Sequence, residues 1–202
     1  MLIGISLGPG DPELLTLKAI AALKNCDRIF VPGEMAVELA RPYCTPEVLS
    51  FPMIEDQEEL ERIWAKNAET VAEAAALGRA GFACIGDVNT FSTFSHLERV
   101  IRERHPKIEI ETIPGVGVVP CAASRFSVPL EKSFVVSDGS PVQTIVRLKA
   151  TRPKKLAEEL SSQGYGEFIL GSMLFSGDEK ITRGEMPEKS GYFSVLMARR
   201  RR

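Results

Sequence analysis

Apolar residues along this chain fall into two alternating rhythms, short continuous runs and longer stretches at helical spacing. Leu2 to Leu7 is a short apolar run closed by Gly8-Pro9-Gly10. Asp11 followed by Pro12 is a strong helix start, a side-chain cap with proline at the first helical position. Leu14, Leu17, Ile20 and Leu23 then predict a helix running to about Asn25. Asp27 to Val31 reads as a second strand, closed by Pro32-Gly33, so the chain opens as a βαβ unit.

The alternation continues. Leu60, Ile63, Trp64, Val71 and Ala75 lie on one face of a long predicted helix, Glu55 to Arg79. Phe82 to Ile85 reads as a buried strand leading into Gly86-Asp87, and Ser92 to Arg104 as a helix. Ile108 to Ile113 reads as a strand stopping at Pro114-Gly115, and Val118 to Ser127 as a small-residue helix with Pro120 in its first turn. Strands alternating with helices predict a largely parallel α/β sheet. Ligands in such sheets bind beyond the carboxyl ends of the strands, where these glycines lie.

Val128-Pro129-Leu130-Glu131 marks a boundary between residues 1–130 and a smaller α/β unit, 131–202. In the second unit the pattern predicts strands at Ser133 to Ser137, Gln143 to Leu148, Glu167 to Leu170 and Tyr192 to Ala198, with a helix from Pro153 to Gln163. Four strands with one helix leave a sheet face uncovered. Phe168, Leu170, Leu174, Phe175, Phe193, Val195 and Leu196 supply apolar area for a two-fold dimer.

Composition narrows the class without deciding it. The 202 residues are 44% hydrophobic and 26% charged, with a formal net charge of −2, which disfavours a general nucleic-acid binder. The run Arg199 to Arg202 reads as a frayed, solubilising terminus. No apolar run approaches the length of a membrane span, and the first residues read as a strand rather than a signal peptide. Cys26, Cys44, Cys84 and Cys121 form no C-x-x-C pair, and with His96 and His105 they complete no zinc pattern. The expectation is a cytoplasmic protein that holds no metal of its own.

Three loops carry the chemistry. The turn Gly8 to Pro12 suits an anion by its backbone N–H groups, or is simply a tight turn with a good cap; it matches neither a dinucleotide nor a P-loop fingerprint. Gly86-Asp87-Val88-Asn89-Thr90 offers a close backbone approach and a carboxylate for ribose hydroxyls or an amine, or a turn aspartate capping the next helix. Pro114 to Val118 opens a third strand end with two glycines. None brings a nucleophile with a partner at useful spacing, which fits group transfer by positioning.

In this order, GISLGPGDPELLTLKA, GDVNTFSTFSHL and IPGVGVVPCAASRFSVPL resemble the signature loops of the tetrapyrrole methylases, which use S-adenosyl-L-methionine. FPMIEDQEELERIWAKNAETV, STFSHL and EMPEKSGYFSVLMARR are similar to the branch methylating C20 of precorrin-2 or cobalt-precorrin-2. The resemblance implies two αβα-type domains, the second shortened, with the cofactor cleft between them, and a homodimer. By position it implies donor contacts from Pro9, Ile85, Gly86, Asp87 and Thr90, from Gly117 and Val118, and from Leu148, with Ser92 and Thr93 beside them. Three departures stand out: Gly-Asp-Val replaces the usual Gly-Asp-Pro, the segment SDGSPVQTIV is short, and the usual Glu-Arg pair near Leu170 is missing.

The chemistry implied is in-line displacement: a meso carbon of the macrocycle attacks the sulfonium methyl, and S-adenosyl-L-homocysteine leaves. Any cobalt would arrive within the substrate. Arg125, Arg147 and Lys149 are candidates for the substrate's carboxylates, or are ordinary solvated charges. His96 faces the substrate or is a helix-surface imidazole. The alternatives are another tetrapyrrole methylase (uroporphyrinogen III, C11 or C17) and a non-catalytic relative that only binds the donor.

Overall fold

A computed structural model describes residues 1–52 and 54–200. It divides into two compact units, Met1–Phe134 and a second beginning at Val135. The first is built on five parallel strands, β1 (Leu2–Ser6), β2 (Arg28–Val31), β3 (Pro46–Val48), β4 (Ala80–Cys84) and β5 (Ile110–Ile113), in the order β3-β2-β4-β1-β5.

Both faces of this sheet are covered, which is why its strands read as continuous apolar runs. On one face Leu2, Phe30 and Phe82 pack under α3 (Gln57–Leu77) and α4 (Phe94–Arg104) through Ala68, Val71, Phe94, Leu97 and Ile101. On the other, Ile3, Ile5, Ile29 and Val31 pack under α1 (Leu17–Asn25) and α2 (Glu34–Ala40). Gly4 permits this closeness: a Cβ there would stand 2.8 Å from the Phe94 ring and 2.9 Å from Val88. The last helix of the unit, α5 (Val118–Phe126), follows β5.

The expected first helix is split in two. Asp11 caps only a 3₁₀ turn, Pro12–Leu14, by accepting the Glu13 N–H; Leu15 is extended, and Thr16 caps α1 anew by accepting the Ala19 N–H. The helix α2 and the edge strand β3 went unpredicted, being only seven and three residues long.

The second unit is an antiparallel sheet, β6 (Thr144–Leu148), β7 (Tyr165–Ser172), β8 (Lys180–Arg183) and β9 (Ser194–Arg200), ordered β6-β9-β7-β8. One helix, α6 (Pro153–Ser161), covers one face through Leu160 against Leu170, Leu196 and Ala198. The strand expected at Ser133 to Ser137 does not form. The Ser137 and Asp138 side chains bond the backbone N–H groups of Gly139 and Ser140, making local turns, and β8 pairs with β7 instead.

Two further expectations change. Arg199 and Arg200 are not frayed: they belong to β9, with Arg199 3.7 Å from Glu167 and the Arg200 guanidinium over the Tyr165 ring. Arg201 and Arg202 lie outside the described residues, as does Met53. Of the apolar residues expected on an open face, Leu170 and Leu196 are buried and Phe168 half-buried in the core beneath α6. The strand register places Val146, Ile169, Val195 and Met197 on the opposite face instead.

Candidate functional site

The neighbours β4, β1 and β5 end side by side, so their three loops meet at one edge of the first sheet. They are joined by specific bonds. Gly8 N–H donates to Gly86 O (3.2 Å) and Gly86 N–H to Gly8 O (2.6 Å), with φ of +73° and +77° that glycine adopts freely. Ser6, fully buried at the end of β1, accepts the Val88 N–H at 2.8 Å. Gly115 is wedged against it: a Cβ there would stand 2.5 Å from the Ser6 Cβ.

Asp87 ties the second loop to the third. One carboxylate oxygen accepts the Asn89 N–H (2.9 Å) and the Thr90 hydroxyl (3.2 Å); the other accepts the Gly115 N–H at 2.9 Å. Its role is therefore wider than either expectation, since it clamps two loops and still keeps one acceptor position unused. The missing side chain of Gly117 would stand 3.7 Å from the Asp87 Cβ. Around Gly10 and Gly86, by contrast, nothing lies within 4 Å of where a Cβ would be. The edge is thus rigid in backbone and open in side-chain space, a geometry that admits a small molecule against main-chain groups.

Pro9, Ile85, Gly86, Asp87, Thr90, Gly117 and Val118 all lie on these three loops, with Val118 exposed at the start of α5. Ser92 and Thr93 divide. The Ser92 hydroxyl accepts the Phe94 N–H and lies 3.1 Å from the buried Cys84 thiol, whose burial pushes its pKa up. Ser92 is thereby committed to starting α4, while the Thr93 side chain makes no cap bond. Leu148, Arg147 and Lys149 belong to the second unit, and Arg125 to the last turn of α5. All four are exposed, and among the described residues no carboxylate pairs with Arg125, Arg147 or Lys149.

His96 does not stand free on the helix surface. Its ring stacks on Trp64 of α3, with centroids 4.0 Å apart and planes 20° from parallel. Burial holds this imidazole below its ordinary pKa, and Arg99 adds to the effect. Ser6 was missed in the sequence; its signal was a polar residue inside an apolar strand, just before the glycine turn. Among the described residues no group of three or more His, Cys, Asp or Glu is placed to hold a metal, and no helix is long and apolar enough to cross a membrane.

The profile of the tetrapyrrole (corrin/porphyrin) methylases matches residues 1–172. The chain belongs to this family. Among relatives of this methylase, a probable cobalt-precorrin-2 C(20)-methyltransferase of Methanocaldococcus jannaschii is 32% identical over 92% of this chain and 87% of its own. The cobalt-precorrin-2 C(20)-methyltransferase of Salmonella typhimurium is 31% identical over 64% of this chain and 58% of its own. In fold, the methylase is similar to a putative cobalamin synthesis related protein (CobF) from Corynebacterium diphtheriae, with a TM-score of 0.54 at 14% identity, over 98% of both chains.

Proposed function

We propose that this methylase transfers the methyl group of S-adenosyl-L-methionine to C20 of precorrin-2 or cobalt-precorrin-2. The observation that carries the reading is the near-full-length similarity to the Methanocaldococcus protein of that name. The site chemistry is compatible with it. Open space beside Gly10 and Gly86 gives a donor room against the backbone, as a cradle that any side chain would fill. The residues proposed to hold it are Pro9, Ile85, Gly86, Asp87, Thr90, Gly117 and Val118, with Thr93 beside them; Ser92 supports them from beneath.

When bound, the donor supplies an electrophilic methyl on a sulfonium, so the chain needs no nucleophile of its own. Its residues would orient and exclude water. The clamp from Asp87 to Gly115 holds two loops at fixed spacing before any ligand arrives, which lowers the ordering cost of binding. Arg125, Arg147 and Lys149, with no carboxylate partner among the described residues, are the proposed contacts for the substrate's acid groups. A homodimer through the bare sheet face of the second unit, and a cytoplasmic location suited to four free thiols, complete the proposal.

The test is a calorimetric titration with S-adenosyl-L-homocysteine, followed by methyl transfer assays on precorrin-2 and cobalt-precorrin-2. Donor-product binding with turnover of either substrate supports the assignment. Binding without turnover on either, or turnover only on uroporphyrinogen III or a later intermediate, overturns it.

A further inference from the structure

Phe91, in the second loop, and Phe94, at the start of α4, stand three residues apart and are placed oppositely. Phe94 is 1% exposed, packed in the core beside Phe82 with ring centroids 6.0 Å apart. Phe91 is 69% exposed, and among the described residues no aromatic ring or cation stacks on it. Its backbone is left-handed, with φ of +48°. A bulky side chain is disfavoured there, and residues held in that conformation cluster at binding sites.

The bend is fixed from both sides. Before it, Asp87 O accepts the Thr90 N–H at 3.1 Å, and the Asp87 carboxylate accepts the Asn89 N–H and the Thr90 hydroxyl. After it, Ser92 O accepts the Ser95 N–H (3.1 Å) and the Ser95 hydroxyl (2.7 Å), while the Ser92 hydroxyl accepts the Phe94 N–H. The loop therefore holds Phe91 at a set position on the edge that carries the glycine loops. The ring does not fill the cradle, since nothing lies within 4 Å of where a Cβ on Gly10 or Gly86 would be. Nor does it extend an apolar patch of the kind that meets another protein. The residues flanking it, Asn89, Thr90, Ser92 and Thr93, are all polar.

We propose that Phe91 positions the second reactant: its ring lies against the conjugated face of the macrocycle while the cradle at Gly86 holds the donor. The assignment rests on the function proposed above. An apolar ring on a fixed bend covers a flat conjugated surface and excludes water from it at little ordering cost. Thr90, one residue earlier, is a proposed donor contact, so neighbouring residues of one loop hold the two reactants. The donor's adenine would also stack on an exposed ring, and the experiment separates the two.

The experiment uses the full chain with Phe91→Leu, Phe91→Tyr and Phe91→Gly. It measures KM for the tetrapyrrole that wild type methylates, cobalt-precorrin-2 on the reading above, beside calorimetric affinity for S-adenosyl-L-homocysteine. Phe91→Leu is expected to raise KM about tenfold, with donor-product affinity within about twofold of wild type. It should unfold at the wild-type urea concentration, as an exposed position does; earlier unfolding would make the ring structural and count against the proposal. Phe91→Tyr keeps the ring and the wild-type KM; if it loses as much as Phe91→Leu, the contact is not aromatic and the proposal falls. Phe91→Gly keeps the bend and removes the ring, so it raises KM at least as far as Phe91→Leu. A wild-type KM in the leucine or the glycine variant overturns the proposal. A parallel loss of donor-product affinity assigns the ring to adenine and overturns it too. Should wild type bind the donor product without turnover, an absorbance titration with uroporphyrin, a stable macrocycle rimmed by carboxylates, reads the contact directly. Binding weakened about tenfold in Phe91→Leu then upholds the contact while the catalytic reading fails. No binding by wild type, or equal binding by both, overturns the contact.

Discussion

The two units solve the same packing problem differently. In the first, helices cover both faces of a parallel sheet, and its functional edge is made of short loops bonded to one another through Gly8, Gly86, Asp87 and Gly115. In the second, α6 covers one face of an antiparallel sheet, and the edge carries the exposed rings of Phe175, Tyr192 and Phe193, with Lys149, Met173 and Phe175 on left-handed backbone. One edge is held by bonds among its own main-chain and carboxylate atoms; the other displays large exposed side chains. The contrast is between an edge built of main-chain groups and one built of exposed side chains.

The largest effect that can test this contrast lies in the first core. Phe94 is buried against Phe82, and Phe94→Ala should destabilise the protein by about 3–5 kcal/mol, whereas the exposed Phe193→Leu should stay within about 0.5 kcal/mol. Urea unfolding of both variants checks it; a similar cost for the two would mean that the second edge is structural.

The loop clamp comes next. Asp87→Ala removes the bonds to Asn89, Thr90 and Gly115, and should weaken S-adenosyl-L-homocysteine binding by about 1–3 kcal/mol. Gly115→Ala, which forces a Cβ against Ser6, should weaken it in the same range by displacing the third loop. Calorimetry on the two variants shows whether the cradle works as a unit; affinity unchanged in both would separate the clamp from ligand binding.

A smaller effect concerns the bare face. Met197→Glu places a charge beside Val146 and Ile169, and should convert a homodimer to monomer at micromolar concentration, read by light scattering. A wild-type monomer removes the proposed role of that face.

The smallest effect is a dependence on pH. The His96 pKa is held below its ordinary 6.5 by burial, so the unfolded chain takes up the proton first as pH falls. Its contribution is complete above pH 6.5 and declines as pH drops below that value towards the folded-state pKa. Melting of wild type between pH 8 and 5.5, followed by the emission of Trp64 (the single tryptophan), should show a loss that His96→Gln reduces. An identical pH profile in both would place the titrating group elsewhere.

Legibility in the sequence followed the length and periodicity of each element. The helices α3, α4 and α6 and the strands β1, β4 and β5 were readable because burial imposes a repeat on several consecutive residues. The turn at Leu15-Thr16 escaped because Leu14 and Leu17 keep helical spacing across a break made by a second cap. A strand at Ser133 to Ser137 was expected from β-forming residues alone, yet a strand exists only when another offers it bonds, and β8 took the edge of β7. The glycine loops were legible as motifs. Their bonding was not, since Ser6, Val88, Asp87 and Gly115 are joined across as many as 82 residues of chain.

The order of elements, the place of the glycine turns and the family they resemble were legible along the chain, because all are properties of residues near one another in it. That Asp87 clamps two loops, that His96 stacks on Trp64, and that Lys149, Phe175 and Tyr192 share one edge emerged from the folded chain alone. The physical reason is common to all three. Each depends on strand order and register, set by burying the whole sheet at once, and no local pattern encodes which distant strand ends will be neighbours.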